Sequence, residues 1–335
     1  MSLKPLSYAH ILAIADIWQD IGGSQEIEIA ALEPLLWCDG QYRIHDVVKA
    51  LTKRGFKVSM TTNGQLLDIF ADELSRAGLV LIRTSWHSTN PLIFREISGG
   101  YGDYRRFMRG ITLALEAGIK VSFNRVLLKG YTDDILEQLE FVERYKSRLK
   151  LYTLLWTPQS SSIHEQFYQD WRPVVRKWVL PRTIKISRIR KRVGRERLRF
   201  HLAGGGLVEV KLGDRVDRST NPCLSCSFKN ECEEGFGDYV RVDSRLHLYF
   251  CYMRRDLGFQ VSEYFGKPTA LQQRMREVFG NIEHLLATAP LRLTVTPFCN
   301  FNCRIPGTQV GWCMEKDGEY AYPKIKPSLL KSDQS

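Results

Sequence analysis

The sequence predicts an α/β protein built on a parallel β-sheet, and three observations carry that prediction. Strand-like and helix-like stretches alternate at short spacing from residue 8 to residue 156. Glycines stand at the ends of the helix-like stretches, where a left-handed cap is needed. Five strand candidates are complete by residue 156, each followed by a polar or Gly/Pro-containing turn. Alternation of this kind yields right-handed crossovers, in a partial or full (β/α) barrel or a doubly wound sheet.

The elements follow in order. Residues 8–22 (YAHILAIADIWQDIG) hold apolar positions at helical spacing and stop at Gly22-Gly23. EIEIA (26–30) alternates as a short strand. Helix-like DVVKALTKRG (46–55) leads into strand FKVSMTTNG, which the Asn63-Gly64 turn ends. Helix-like DIFADELSRAG (68–78) precedes strand LVLIRTS, and 104–118 reads as helix before strand IKVSFNRVLL. Residues 133–146 read as helix and LKLYTLLW as strand. Chemistry in such a sheet sits at the C-terminal strand ends. Those ends carry Glu33-Pro34, Thr61-Thr62-Asn63-Gly64, Ser85-Trp86-His87 and Thr157-Pro158.

The pattern changes near residue 159. Residues 182–199 contain nine Lys or Arg, a run that fits phosphates, a leader peptide or RNA, or else a solvated face. HLAGGGLVEVKLGDRV reads as a hairpin, 270–287 as a helix, and LRLTVTP (291–297) as a last strand that abuts Cys299.

Composition narrows the class. The 335 residues are 44% hydrophobic and 25% charged, as in an ordinary soluble globular protein. No apolar run reaches the roughly 20 residues of a membrane span, and Met1-Ser-Leu-Lys-Pro-Leu-Ser lacks a signal-peptide layout. The expected location is the cytoplasm, with no membrane partner. A net charge of +11 favours an anionic partner: a nucleotide, a nucleic acid or an acidic peptide.

Seven of the eight cysteines are grouped. Cys223-x2-Cys226-x5-Cys232 is joined by Cys251; Cys299, Cys303 and Cys313 form the second set. Grouped cysteines in a cytosolic chain point to metal. Four thiolates suit a closed Fe–S cluster or a tetrahedral zinc site. Three thiolates leave one iron of a [4Fe–4S] cubane open for a small molecule, and zinc remains the alternative there too. Cys38 stands alone and is expected to be a partly buried thiol.

These residues resemble the radical S-adenosylmethionine (SAM) superfamily and, within it, the MoaA-like (GTP 3′,8-cyclase-like) enzymes. IEIAALEPLLWCDG, FKVSMTTNGQLL, LVLIRTSWHSTNPLIFREISGG and IKVSFNRVLLKGYTDD are similar to consecutive family segments, in the family's relative order. LRLTVTPFCNFNC and GWCMEKDG resemble the family's first strand and its Cys-x3-Cys-x2-Cys motif. The segment CxxCx5C…C followed by YMRRDLG resembles a C-terminal auxiliary-cluster domain of twitch or SPASM type, with one auxiliary cluster.

The sequence departs from the family in three ways. The cluster strand comes last instead of first. SLKPLSYAHI and KIKPSLL resemble the two sides of a cut in one loop, as in a circular permutation. The cluster motif reads Cys-x3-Cys-x9-Cys, and deleting Arg304–Val310 restores the family spacing. The Gly-Gly before Glu33 is replaced by Ala31-Leu32; the family's backbone lies close to the methionine end of SAM there, so the resemblance implies that a Leu side chain would crowd it.

The resemblance implies a partial (β/α)6 TIM-type barrel with a small α+β iron–sulfur domain. Residues 1–160 would give barrel strands two to six, 161–288 the auxiliary domain, and 289–335 the permuted first strand and cluster loop. It implies that Cys299, Cys303 and Cys313 hold a SAM-binding [4Fe–4S] cluster and that Cys223, Cys226, Cys232 and Cys251 hold a second, auxiliary [4Fe–4S] cluster. Trp312 would pack near adenine, and Glu33, Thr61, Thr62, Ser85 and Asn124 would line the SAM side. Each of the last five also suits a turn or capping role.

Reductive cleavage of SAM would give a 5′-deoxyadenosyl radical that takes a hydrogen atom from a nucleotide, peptide or other small metabolite. An electron donor such as flavodoxin or ferredoxin is implied, and nucleic acid is not an expected partner. A fourth auxiliary cysteine would close the iron that meets the purine in the family, which argues against plain GTP cyclase activity. Arg241 and Arg245 stand where the family presents basic residues to its nucleotide, in a segment that lacks the usual Asp-Gly turn; a solvated strand face is their other reading. His87 replaces a family Asp and reads as a polar barrel residue rather than a proton donor. Two other functions compete: a zinc-bearing nucleic-acid-binding protein, which explains the charge but not the barrel motifs, and a degenerate relative without SAM cleavage.

Overall fold

The computed structural model describes residues 5–30, 32–156, 161–189, 195–216, 221–230, 232, 239–251, 254–280, 292–297, 315–316 and 319–320. Along the chain run α1 (Tyr8–Asp20), β1 (Glu26–Ala30), the ribbon β2 (Cys38–Asp39) and β3 (Tyr42–Arg43), α2 (Ile44–Lys53), β4 (Lys57–Thr62), α3 (Leu67–Arg76) and β5 (Leu81–Ser85). Next come α4 (Pro91–Ile97), α5 (Tyr104–Glu116), β6 (Lys120–Val126), α6 (Ile135–Arg144), β7 (Arg148–Tyr152), α7 (Ser161–Phe167) and α8 (Trp171–Val174). The remainder is β8 (Thr183–Ile189), β9 (Arg195–Leu202), β10 (Leu207–Val216), α9 (Asn221–Leu224), β11 (Tyr239–Val242), β12 (His247–Tyr249), β13 (Phe259–Gln260), α10 (Pro268–Phe279), β14 (Arg292–Val295) and the ribbon β15 (Glu315–Lys316) with β16 (Glu319–Tyr320).

Twelve strands form one sheet in the order β13-β12-β11-β14-β1-β4-β5-β6-β7-β10-β9-β8. Every pairing from β11 through β10 is parallel. The predicted α/β parallel architecture is therefore the one found. β14 pairs with β1 in parallel, with Glu28 opposite Thr294, although more than 260 residues separate the two strands in sequence. Antiparallel strands extend both edges: β12 and β13 beyond β11, and β9 and β8 beyond β10.

Local chemistry explains the elements. Ser7 caps α1 by accepting from the His10 N–H, and Asp103 caps α5 by accepting from Arg106. Asn90 accepts from Leu92 and Ile93, and Pro91 supplies the first turn of α4. The basic run contains the β8–β9 hairpin, in which Arg188 pairs with Glu196 across the strands. Sequence reading left β8 unassigned, because cation-rich alternation also suits a solvated face.

One face of the sheet is apolar. Ile27, Ile29, Val58, Met60, Ile82, Val121, Phe123, Leu149, Leu151 and Val208 all lie buried there in the main core. Helical residues such as Ile14, Val47, Leu51, Leu74, Ile111 and Leu139 belong to the same core. At about 1.5–3 kcal/mol for each fully buried aliphatic side chain, this layer supplies the driving force that holds the strands parallel. Among the described residues, no helix is long and apolar enough to cross a membrane.

Candidate active site

The other face of the same strands is polar, and it is buried all the same. Glu28 on β1, Ser59 on β4, Arg83 on β5, Ser122 on β6, Lys150 on β7, Glu209 on β10 and Thr294 on β14 are all buried. Strands of parallel sheets normally read as near-continuous apolar runs because helices cover both faces. Here alternate residues are polar, and register aligns them. Thr61 lies opposite Arg83, Arg83 opposite Ser122, and Ser122 opposite Arg148. Ser85 lies opposite Asn124, Asn124 opposite Lys150, and Lys150 opposite Glu209.

Glu28 and Lys150 lie on this face four strands apart in the sheet order, and both are buried. The result is a polar chamber lined by strands, as in a partial barrel.

Ion pairs organise much of that chamber. Arg83 sits 3.1 Å from Glu28 and donates to Ser59 at 2.8 Å, while Thr61 donates to Glu28 at 2.6 Å. Arg199 donates to Glu209 at 2.6 and 2.9 Å, and Arg148 approaches Glu209 at 3.6 Å. Burial raises the Glu209 pKa, but Arg148 and Arg199 outweigh it and hold the carboxyl below its usual value. Sequence reading missed this layer. Its signal was the charged or hydroxyl residue at alternate positions of EIEIA, KVSMT, LIRTS, KVSFN and RLKLY.

At the strand ends, Glu33 forms a compact knot. Its carboxylate accepts from the Leu35 N–H at 3.1 Å, the Thr62 hydroxyl at 2.7 Å and the Asn63 N–H at 2.8 Å. Burial pushes its pKa up against those hydrogen bonds. Glu33 and Thr62 thus fasten the turn after β1 to the end of β4. Gly64 closes the second turn at φ +80°, with Phe107 packed where a Cβ would go. Leu32, which stands where the resembling family has glycine, is held at φ +31°, a left-handed conformation that is strained for a branched residue.

Ser85 and Asn124 face each other in register at the next two strand ends, and the Asn124 carbonyl accepts from the Trp86 N–H at 2.9 Å. His87 accepts from the Val126 N–H through Nδ1, and burial together with Arg125 lowers its pKa to about 4. The imidazole is therefore neutral at pH 7, with its Nδ1 engaged by the backbone.

Thr61, Thr62, Ser85, Asn124 and Glu33 therefore gather along adjacent strand ends. β14 ends among them: the Thr296 N–H donates to Val242 and Pro297 accepts from Leu6. Cys299, Cys303, Cys313 and Trp312, like Ala31 and the Thr157-Pro158 turn, lie outside the described residues. By donor type, three thiols four or more residues beyond a strand that borders β1 suit the open cluster they were read for.

Cys223, Cys226, Cys232 and Cys251 are half-buried and not disulfide-bonded. The Cys226 N–H donates to the Cys223 carbonyl in a tight turn. Among the described residues, no three His, Cys, Asp or Glu side chains are arranged to hold a metal ion. The four thiols therefore match a cluster in chemistry but not in arrangement. Arg241 lies on β11 and donates to the Phe250 carbonyl at 3.0 Å, while Arg245 is exposed in the next turn. Asp243 builds that turn by accepting from Arg245 and His247, and Leu246 takes the φ +61° position that a glycine fills in an Asp-Gly turn. Cys38, expected partly buried, is exposed, on a two-residue ribbon paired with Arg43.

The radical SAM superfamily description matches residues 3–142. A probable GTP 3′,8-cyclase of Methanothermobacter thermautotrophicus is 30% identical over 230 residues, covering 66% of this chain and 70% of that protein. A second, from Archaeoglobus fulgidus, is 27% identical over 239 residues, covering 69% and 74%. The chain covers less of other relatives, 34% of the Rhizobium etli enzyme and 37% of the Aeropyrum pernix one. Among solved structures, Streptococcus suis SuiB bound to S-adenosylmethionine gives a TM-score of 0.38 at 18% identity, covering 44% of this chain and 34% of that one. The chain belongs to the radical SAM superfamily, in its MoaA-like branch. The relatives named above are GTP 3′,8-cyclases or probable ones, and the chain is an enzyme of the MoaA-like family.

Proposed function

We propose that this enzyme cleaves SAM reductively and uses the resulting 5′-deoxyadenosyl radical to take a hydrogen atom from a nucleotide, peptide or other small metabolite. The observation that carries this reading is the buried polar chamber, lying beneath strand ends where Glu33 and the strand before Cys299 come together. A buried polar face is costly unless its groups are paired or a ligand uses it.

In this reading Cys299, Cys303 and Cys313 hold a [4Fe–4S] cluster, which supplies the electron that breaks SAM, drawn from a donor such as flavodoxin or ferredoxin. The protein's own work is positional. Glu33 and Thr62 fix the loop that approaches the methionine end. Ser85, Asn124 and Thr61 offer hydrogen bonds from adjacent strands, and Trp312 stacks near adenine. The chamber walls exclude water from the reacting carbon.

The barrel's first strand is supplied by β14, so that residues 289–335 complete the barrel begun by residues 1–160; its parallel pairing with β1 supports a circular permutation. The auxiliary cluster, on Cys223, Cys226, Cys232 and Cys251, rests on donor chemistry and the CxxC turn. Arg241 and Arg245 are candidate substrate contacts. A second reading, a relative that does not cleave SAM, draws on the strained Leu32 and the widened cysteine spacing.

The test is anaerobic reconstitution with iron and sulfide, followed by dithionite and SAM. Brown protein that forms 5′-deoxyadenosine supports the first reading. Brown protein with no cleavage selects the second. Colourless, zinc-loaded protein overturns both.

A further inference from the structure

We infer that Lys150, together with Arg83 and Ser122, forms an anion-binding subsite in the chamber that receives a carboxylate or phosphate of the substrate. The inference rests on the reading that this chamber is where substrate binds.

Lys150 is 8% exposed, yet among the described residues its ammonium group has no hydrogen-bond or ion-pair partner. Its neighbours are incompletely used too. Among the described residues, Arg83 Nε and Ser122 Oγ are buried without a partner, and Arg83 and Ser122 are 8% and 1% exposed. Ser122 faces Arg148, two residues before Lys150 on β7, across the β6–β7 pairing. A buried lysine that serves only structure acquires a carboxylate or carbonyl. This one keeps its donors for something that enters.

The charge balance says what enters. Arg83 from β5, Arg148 from β7 itself, and Arg197 and Arg199 from β9 face this region, against Glu28 from β1 and Glu209 from β10. Both carboxylates are already paired, Glu28 with Arg83 and Glu209 with Arg199. A protonated Lys150 adds a cation with no counter-ion. Burial, then Arg83 and Arg197, accordingly lower its pKa to about 7, against the pull of Glu209 and Glu28. An arriving anion reverses that balance, so Lys150 takes up a proton on binding above pH 7.

Inorganic pyrophosphate is the probe, titrated calorimetrically into the full-length protein at pH 8 in two buffers of different ionisation enthalpy. The expected result is binding with uptake of about one proton. K150M should weaken binding at least tenfold and abolish uptake. K150R should keep the affinity within about threefold but lose the uptake, since arginine stays charged. Saturating SAM should leave pyrophosphate binding intact. Wild-type affinity in K150M, unchanged uptake in K150R, or displacement of pyrophosphate by SAM would each overturn the assignment; displacement would mean that the site serves the SAM carboxylate. Pyrophosphate binding without 5′-deoxyadenosine formation would uphold the subsite while removing the radical reading.

Discussion

Asp134→Asn should be among the most destabilising single changes in the barrel. Arg125 on β6 is fully buried, and Asp134 supplies its counter-charge at 2.5 Å. The same guanidinium donates to Gln138 Oε1 at 2.7 Å, and Gln138 donates in turn to the Trp86 carbonyl at 2.8 Å. The other Asp134 oxygen accepts from the Ser88 hydroxyl at 2.6 Å. One carboxylate thus joins the loop after β5, the end of β6 and the start of α6, and so holds the strand ends where Ser85 and Asn124 sit. Removing its charge leaves a guanidinium in the core without compensation, which costs about 3–5 kcal/mol. At roughly 2 °C per kcal/mol in a chain of this size, the midpoint of thermal unfolding should fall by about 6–10 °C.

The pH dependence has a definite sign. Burial raises the Asp134 pKa, but Arg125, Ser88 and the Thr89 N–H outweigh it and leave the carboxyl below its usual 3.8. Its stabilisation is therefore complete above the unfolded value and disappears as pH falls through the lower folded value. Urea denaturation of wild type and D134N at pH 7 and at pH 3 should show the difference between them shrinking with acid. The double variant R125M/D134L, which removes both charges, should recover much of the loss. A D134N penalty below about 1 kcal/mol at pH 7, or one that grows with acid, would refute the network.

Three further changes test the strand ends. Leu32→Gly removes a left-handed strain of about 1–2 kcal/mol at the cost of about 0.5–1 kcal/mol of chain entropy; it should leave the melting temperature equal or slightly higher, and a clear loss would mean that the Leu32 side chain packs productively. Gly64→Ala places a Cβ about 2.7 Å from Phe107 at φ +80° and should lower stability by about 2–3 kcal/mol in urea denaturation. Glu33→Gln bears on pH: burial raises the Glu33 pKa, so its contribution is complete below the unfolded value and declines as pH rises through the folded one. E33Q should lack that decline while losing about 1–3 kcal/mol from an NH2 group facing donors, and stability measured at pH 5 and pH 8 separates the two effects.

Much of this fold was legible because its helices and strands have opposite periodicities. YAHILAIADIWQD and YRRFMRGITLALE form helices within a residue or two of the predicted bounds, and EIEIA is a strand throughout. The pairing of β14 with β1 was legible only through resemblance, since nothing local in LRLTVTP says which strand it meets. The chamber was not read because a polar residue in a short strand points equally well to water or to a lumen. Only the register, with Ser122 between Arg83 and Arg148, shows that the polar strand residues share one face, on which Arg83, Ser122 and Lys150 are buried. Leu246 illustrates the limit on turns: Asp243 supplied the hydrogen bonds of an Asp-Gly turn, but the absent glycine hid it.

The central claim is that the late-coming cysteines, and not the earlier four, perform the SAM chemistry. Two full-length variants decide it after anaerobic reconstitution: one with Cys299, Cys303 and Cys313 all changed to Ala, the other with Cys223, Cys226, Cys232 and Cys251 all changed to Ala. The account predicts that the first binds iron but forms no 5′-deoxyadenosine, whereas the second loses part of its iron and still cleaves SAM. Undiminished 5′-deoxyadenosine formation by the first variant would contradict it.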